Sequence, residues 1–362
     1  MTVLTADIAV RPRRSFQEVW VISLGHALTH WYPATFYLLL PLIGKELGLS
    51  YSEIGSVLTC QYLAGAIANI PGGIFVDTVG RRGLLLANRF PERKGLVMSI
   101  HGMGGNVGDA VAPLVVGALL GILSWRSVVV INVVPGVLIA VFALIYLGRR
   151  QNGDAVANMA PAISATERLR MFGALLKNRA LITLAAGSAF RTMTQGALLT
   201  FLPLYLAREM GYPLFWIGAC MFALQAGGFV AAPIAGHLSD RIGRRQIILS
   251  SMTMSAVVIF LMLFAGGTGW FVTFVSVLGF FLFAVRAVLQ AWLLDATPPA
   301  MGGSAIGLLF ASQAFGQAVG PLAAGIVADH YGLMGAFYFL AATIVIANFL
   351  VFLTPAGLMK RD

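Results

Sequence analysis

Between about residues 17 and 354, apolar stretches near the ~20 residues needed to cross a bilayer recur along the chain, separated by short polar breaks. The pattern predicts ten helices, at about 17–43, 52–76, 96–121, 127–147, 180–206, 213–235, 246–265, 270–293, 304–327 and 333–354. Arg11, Arg13 and Arg14 precede the first stretch as they would in a signal peptide. That stretch is too long for one and no small-residue cleavage site follows, so it reads as a span. With 59% hydrophobic and 10% charged residues, the chain is an all-α integral membrane protein by composition.

The distribution of cations orients it. With the amino terminus in the cytoplasm, 19 of the 24 Lys and Arg fall on cytoplasmic segments. Lys45, Arg126 and Arg208 fall outside, and Arg191 and Arg286 lie within helices. The positive-inside rule then predicts a multi-pass protein of the inner (cytoplasmic) membrane with both termini cytoplasmic. Anionic lipid beneath those loops accounts for the net charge of +10, so nucleic acid is not an expected partner. Cys60 and Cys220 each sit inside a predicted helix and read as packing thiols, with no disulfide or metal implied.

One pattern, G-x-x-x-D-x-x-G-R-R, occurs twice, 163 residues apart: Gly73, Asp77, Gly80, Arg81 and Arg82, then Gly236, Asp240, Gly243, Arg244 and Arg245. Each copy follows a long apolar run, which predicts two related halves with a tight turn in each. Glycines let helix ends approach, the Asp can accept bonds from a helix N-terminus, and the arginines can pair with acids on neighbouring helices. The duplicated pattern resembles the cytoplasmic loop motif of the major facilitator superfamily, which gates transport. The resemblance implies two pseudo-repeated helix bundles around a midplane site, and it covers nearly the whole chain.

The usual plan of that family is twelve helices, six per bundle, and this chain has about ten, as 4 + 6. A second repeat, Gly108, Ala112, Pro113 and Gly117 against Gly316, Gly320, Pro321 and Gly325, measures the difference. Asp77 to Pro113 is 36 residues and Asp240 to Pro321 is 81, so the first half is short by 45, the length of a helical hairpin. The third and fourth helices of the plan are the ones expected to be missing. The predicted organisation is an N-terminal bundle over 1–147, a cytoplasmic linker over 148–178 with a short amphipathic helix around 166–176, and a C-terminal bundle over 179–362.

Candidate chemistry is sparse. Of 14 Asp and Glu, Asp109 alone falls mid-helix, where a buried carboxyl can take up and release a proton. It is the candidate for proton coupling; the other reading is a permanent pair with Arg191, Arg286 or Asn106. Arg191 and Arg286 lie on helices that the resemblance makes cavity-lining, each followed four residues later by an amide, Gln195 and Gln290. Two buried cations against one anion would suit an anionic substrate, the alternative being packing salt bridges or Arg286 reaching toward Asp295. His26 and His30 share a face of the first helix and suit proton relay or substrate binding; two histidines are a weak metal signal, and no metal or cofactor is expected. His101, at a helix end, carries little weight.

Residues 104–121 resemble the fifth-helix motif that the family associates with antiporters, departing at Ala112. Residues 23–55 resemble the start of the fosmidomycin-resistance-like branch, in which Ser50 or Ser52 would cap the second helix with Glu53 in its first turn. That branch exports small drugs, including a phosphonate antibiotic, on the proton gradient. No nucleotide-binding loop or nucleophile–base spacing supports an enzyme. The expected function is a proton-coupled secondary transporter that exports a small drug-like or anionic organic molecule. Uptake of a small metabolite and a non-transporting shortened membrane protein are the alternatives. The expected partners are substrate, protons and the lipid bilayer; a monomer is favoured, with a dimer as the alternative.

Overall fold

The computed structural model describes residues 17–79, 94–148, 173, 177–265, 268–297 and 301–355. Ten α-helices and no strands occur among the described residues: α1 Gln17–Glu46, α2 Tyr51–Val79, α3 Lys94–Leu120, α4 Trp125–Gly148, α5 Arg179–Arg208, α6 Leu214–Ile242, α7 Arg244–Ala265, α8 Gly269–Asp295, α9 Gly302–Tyr331 and α10 Leu333–Phe352. Their order matches the apolar pattern, and several run a turn or more past its edges. Polar residues at the membrane surface prolong a helix until a stop signal intervenes. Gly243, at φ 101°, supplies one such stop between α6 and α7, in a conformation that glycine adopts without strain. The start of α2 is a reciprocal cap: Ser50 Oγ accepts the Glu53 N–H at 3.2 Å and Glu53 Oε2 accepts the Ser50 N–H at 2.8 Å. The cap is Ser50, of the two serines that the sequence offered.

Seven of the ten helices are long and apolar enough to cross a membrane by composition: α3, α4 and α6 to α10, over their described residues. In α1 and α5, each 30 residues long, polar side chains such as His26, His30 and Arg191 dilute the apolar content. Those polar positions face other helices, and they carry the candidate site.

In the first four helices, α1 packs along α3 with α4 beside it, while α2 stands apart and packs chiefly on α9. In the last six, α5 lies between α9 and α10, α8 lies between α6 and α7, and α10 packs on α7. The core is deepest around α5, where Leu184, Leu198, Phe201, Leu202 and Leu206 are fully buried. The amphipathic helix expected over 166–176 lies outside the described residues apart from Gly173, which is helical.

Two seams join the halves and repeat each other. In one, Gly55 of α2 lies against the backbone of Pro321, and Gly325 against that of Tyr51 and Ser52. In the other, Gly218 of α6 lies against the backbone of Pro113, and Gly117 against Leu214 and Phe215. A Cβ at any of these glycines would meet main-chain atoms, which cannot rotate away; small residues are what let helices approach this closely in lipid. The spacing repeat in the sequence is therefore a repeat of contacts.

The halves differ in how their last helices are covered. Phe337, Leu340, Ile344 and Ala347 of α10 are fully buried, whereas Val130, Val133, Val134, Val137, Leu138 and Val141 of α4 are exposed. Only residues 80–93 separate α2 from α3, a stretch too short to hold even one ~20-residue span.

Candidate transport site

The site forms where α1 and α3 run side by side. Val19 packs with Val97, Gly104 meets the Ser23 carbonyl, and Gly108 meets the Ala27 carbonyl, so the two helices stay in register over several turns. Absence of side chains at Gly104 and Gly108 brings the backbones together, and that approach sets four polar side chains face to face. His30 Nδ1 lies 2.9 Å from Asp109 Oδ2, with the two side chains 29% and 27% exposed. His26 Nδ1 lies 2.8 Å from the His101 carbonyl oxygen. The His26 ring stacks on His101 at 4.2 Å and meets His30 edge-on at 4.9 Å. Gly105 leaves the room for them: a Cβ there would lie 2.9 Å from His30 Nε2 and 3.0 Å from His26 Cε1. Beside this cluster, Trp31 donates from Nε1 to Asn132 Oδ1 of α4 at 2.5 Å. One level further along, the hydroxyls of Tyr37 in α1 and Tyr62 in α2 are hydrogen-bonded.

Asp109 thus has a partner that the sequence did not suggest. It pairs with His30 rather than with Arg191, Arg286 or Asn106, and His101, set aside on sequence, stands in the same cluster. The signal was the run of small residues at Gly104, Gly105 and Gly108, which marks the face of α3 that meets α1.

Arg191 sits elsewhere. It is 1% exposed, donates from Nη1 to the Leu282 carbonyl of α8 at 3.2 Å, and its Nε has no acceptor. Arg286 is exposed, and its charge acts on Arg191. Gln195 and Gln290 are half-buried. The Arg191 guanidinium is therefore buried, with its one described hydrogen bond reaching across to α8. Asp295, the partner that the alternative reading offers Arg286, pairs with Arg244.

The second copy of the loop motif forms a compact network. Arg244 pairs with Asp240 one turn earlier, bonds Asp295 of α8 through Nε at 3.3 Å and donates to Ser239 Oγ at 2.6 Å. Arg245 donates to the Phe352 carbonyl at the end of α10 at 2.7 Å. Gly236 has open space around it. In the first copy, Gly73 and Asp77 lie on α2 with side chains outside the described residues, and Gly80, Arg81 and Arg82 lie outside them altogether.

At the opposite end, Asp329 of α9 accepts the N–H groups of Tyr51 and Ser52 at 2.7 and 2.9 Å, and Thr59 Oγ1 donates to the Ala318 carbonyl at 2.5 Å. Arg208 lies over the Tyr51 ring at 5.2 Å. These three hydrogen bonds join α2 of one half to α9 of the other. Here too, Arg126 forks onto Glu46 at 2.6 and 3.0 Å and holds its carboxyl below the usual range, with Trp125 donating to the same carboxylate.

The sequence matches the family model of the Major Facilitator Superfamily over residues 83–231 and again over 216–361. The chain belongs to the Major Facilitator Superfamily. It is 22% identical to the phosphoglycerate transporter protein of Salmonella typhimurium, over 97% of this chain and 91% of that one. It is 33% identical to multidrug resistance protein MdtG of Salmonella typhi over 156 residues, which are 42% of this chain and 38% of that protein. Its fold is that of a bacterial homologue of the human lysosomal transporter Spinster in an inward-facing, unoccupied conformation, with a TM-score of 0.74 at 15% identity, covering 93% of this chain and 96% of that one. A bacterial homologue of the iron transporter ferroportin, also inward-facing, superposes with a TM-score of 0.54 at 16% identity, covering 93% and 92%. These relatives are transporters, not enzymes. The molecule is a multi-pass transporter of this superfamily type, with ten helices among its described residues.

Proposed function

We propose that this transporter couples proton movement to the export of a small drug-like or anionic organic molecule by alternating access, with Asp109 as the coupling carboxylate. The observation that carries the reading is the 2.9 Å contact between His30 Nδ1 and Asp109 Oδ2 on two facing helices, half-exposed. A carboxylate shared with an imidazole can hold a proton in one conformation and release it in the other. His26 and His30 line the same polar face. Arg191 and Arg286, with Gln195 and Gln290, give the second half a positive field that suits an anion, acting at a distance from the buried Arg191.

The cation count supports a cytoplasmic Asp240 end, with both termini there and the membrane an inner one. The Tyr51–Asp329 seam then closes the outer side, which makes this conformation inward-facing, as the solved relatives are. The halves are proposed to divide at 1–147 and 179–362, with 148–178 as linker. The sequence likeness to the fosmidomycin-resistance-like branch and to a multidrug resistance protein favours export over uptake.

A specific observation favours a second reading. The exposed valine face of α4, the isolation of α2 from its own half, and the shortness of residues 80–93 all fit the loss of the third and fourth helices of a twelve-helix plan. The alignment with the phosphoglycerate transporter runs to 422 positions against 362 residues here, so it opens gaps in this chain. On this reading the chain is a shortened transporter without flux. Drug susceptibility of an efflux-deficient bacterium, tested with a phosphonate antibiotic and lipophilic drugs, separates the two. Resistance that disappears with Asp109→Asn at matched membrane abundance supports coupled export. No protection from wild type at full abundance supports the shortened, inactive form.

A further inference from the structure

The polar cluster between α1 and α3 is longer than coupling at Asp109 requires. On α3, His101 and Asp109 are eight residues apart, roughly 12 Å along the helix axis. His26 and His30 of α1 fill the interval, and the order in space is His101, His26, His30, Asp109, each group in contact with the next. His101 is the member nearest the Asp240 end of the bundle, since α3 starts at that end.

The hydrogen bonds fix part of the proton placement. The His101 carbonyl can only accept, so His26 Nδ1 carries its hydrogen and a neutral His26 keeps its lone pair on Nε2. His30 Nδ1 donates to Asp109 when the carboxyl is ionised and accepts from it when the carboxyl is protonated. His101 Nδ1 is buried without a partner. The nitrogens do not converge on a point, and no group of three ligating side chains among the described residues could hold a metal ion. Tyr37 of α1 and Tyr62 of α2, hydrogen-bonded to each other, are titratable groups within electrostatic reach of Asp109, whereas charged side chains of neighbouring helices are placed otherwise. Arg191 of α5 turns to α8, Arg126 of α4 is on Glu46 at the far end, and His237, Asp240 and Arg241 lie in the last two turns of α6.

We infer that His101 and His26 are stations of a proton path linking the His30–Asp109 pair to the aqueous phase at the Asp240 end. The inference rests on the coupling role proposed for Asp109. Release begins as the Asp109 O–H bond breaks and its proton passes to His30 Nδ1, leaving the carboxylate. His30 gives up its Nε2 proton toward His26 Nε2, His26 its Nδ1 proton toward His101, and His101 delivers a proton to water. Each imidazole gains one N–H bond and loses another, so it ends neutral and no oxidant is involved. Ring rotation or an intervening water completes the steps that the stacked geometry does not align.

The test needs no transported solute. After a pH jump on the purified full chain, time-resolved infrared spectroscopy follows the protonated-carboxyl band that disappears in Asp109→Asn. The account predicts that His26→Asn and His101→Asn each slow ionisation of Asp109 by about tenfold or more, the scale of a lost positioned acid–base group. Millimolar imidazole restores the rate, and melting in detergent stays unchanged. His101→Gln serves where the Asn variant does not accumulate. Ionisation at the wild-type rate in either variant overturns the path while leaving Asp109 as the coupling group. Absence of any Asp109 band between about pH 4 and 9 overturns both this path and the coupling role.

Discussion

Asp329 of α9 holds the backbone N–H groups of Tyr51 and Ser52, so a helix of one half caps a helix of the other. With Ser50 Oγ on the Glu53 N–H, the carboxylate satisfies donors that the first turn of any helix leaves open. The position equivalent to Asp329 in the repeat is Gly121, and α6 has no side-chain cap at Pro213. The latch therefore belongs to one seam only.

Asp329→Ala is expected to weaken closure at the Tyr51–Asp329 end, the outer side in the proposed orientation. Losing an N-cap costs about 0.5–2 kcal/mol, which moves a two-state equilibrium roughly 2- to 30-fold. Labelling of a cysteine placed at Ser56 by a membrane-impermeant maleimide, in a Cys60→Ser, Cys220→Ser background, should rise from the outer side. Unchanged labelling would mean that the carboxylate caps α2 without holding the halves together.

Close backbone approach at the seams makes a second prediction. Gly55→Val places methyl groups against the Pro321 carbonyl and Leu322 backbone, so outer closure and transport are lost while membrane abundance is kept. Gly307→Ala on α9, with open space around it, leaves both unchanged. Equal behaviour of the two variants in labelling and transport assays would contradict the seam geometry.

Arg191 is buried with an orphan Nε and a single described hydrogen bond, to a carbonyl. Burial of a charge without a carboxylate partner opposes stability, so Arg191→Met should melt in detergent at the same temperature as wild type or higher. A drop of several degrees would show the guanidinium to be a structural pillar of α5 and α8.

Arg244 has three partners and Asp295 has one described here. Asp295 is exposed, so Asp295→Asn should change stability by less than ~1 kcal/mol. Arg244→Ala, which releases Asp240, Ser239 and Asp295 together, should lower detergent melting distinctly more. Equal melting of the two variants would place the network outside the energetics of the turn.

Helix number, order and the spacing repeat that underlies the seams were legible in the sequence, because membrane spans need long apolar runs and close helix pairs need small residues at fixed spacing; which helices the seams join was not. Asp109 was legible as the one acid in mid-span. Its partner was not, since which faces of α1 and α3 meet depends on backbone approach at Gly104 and Gly108, a property of two helices jointly. Arg191 shows the converse: a cation on a helix expected to line a cavity is buried with Nη1 on the Leu282 carbonyl, a placement that depends on α8 as well as on α5. Ser50 was narrowed to two candidates, and the Glu53 geometry selected between them.

The most direct test of the central claim is proton flux into vesicles containing the purified chain and a lumenal pH dye, on addition of a phosphonate antibiotic under an imposed pH gradient. The account predicts solute-dependent proton movement in the wild type and none in Asp109→Asn reconstituted at equal density. Solute-dependent proton movement that persists in Asp109→Asn would contradict it.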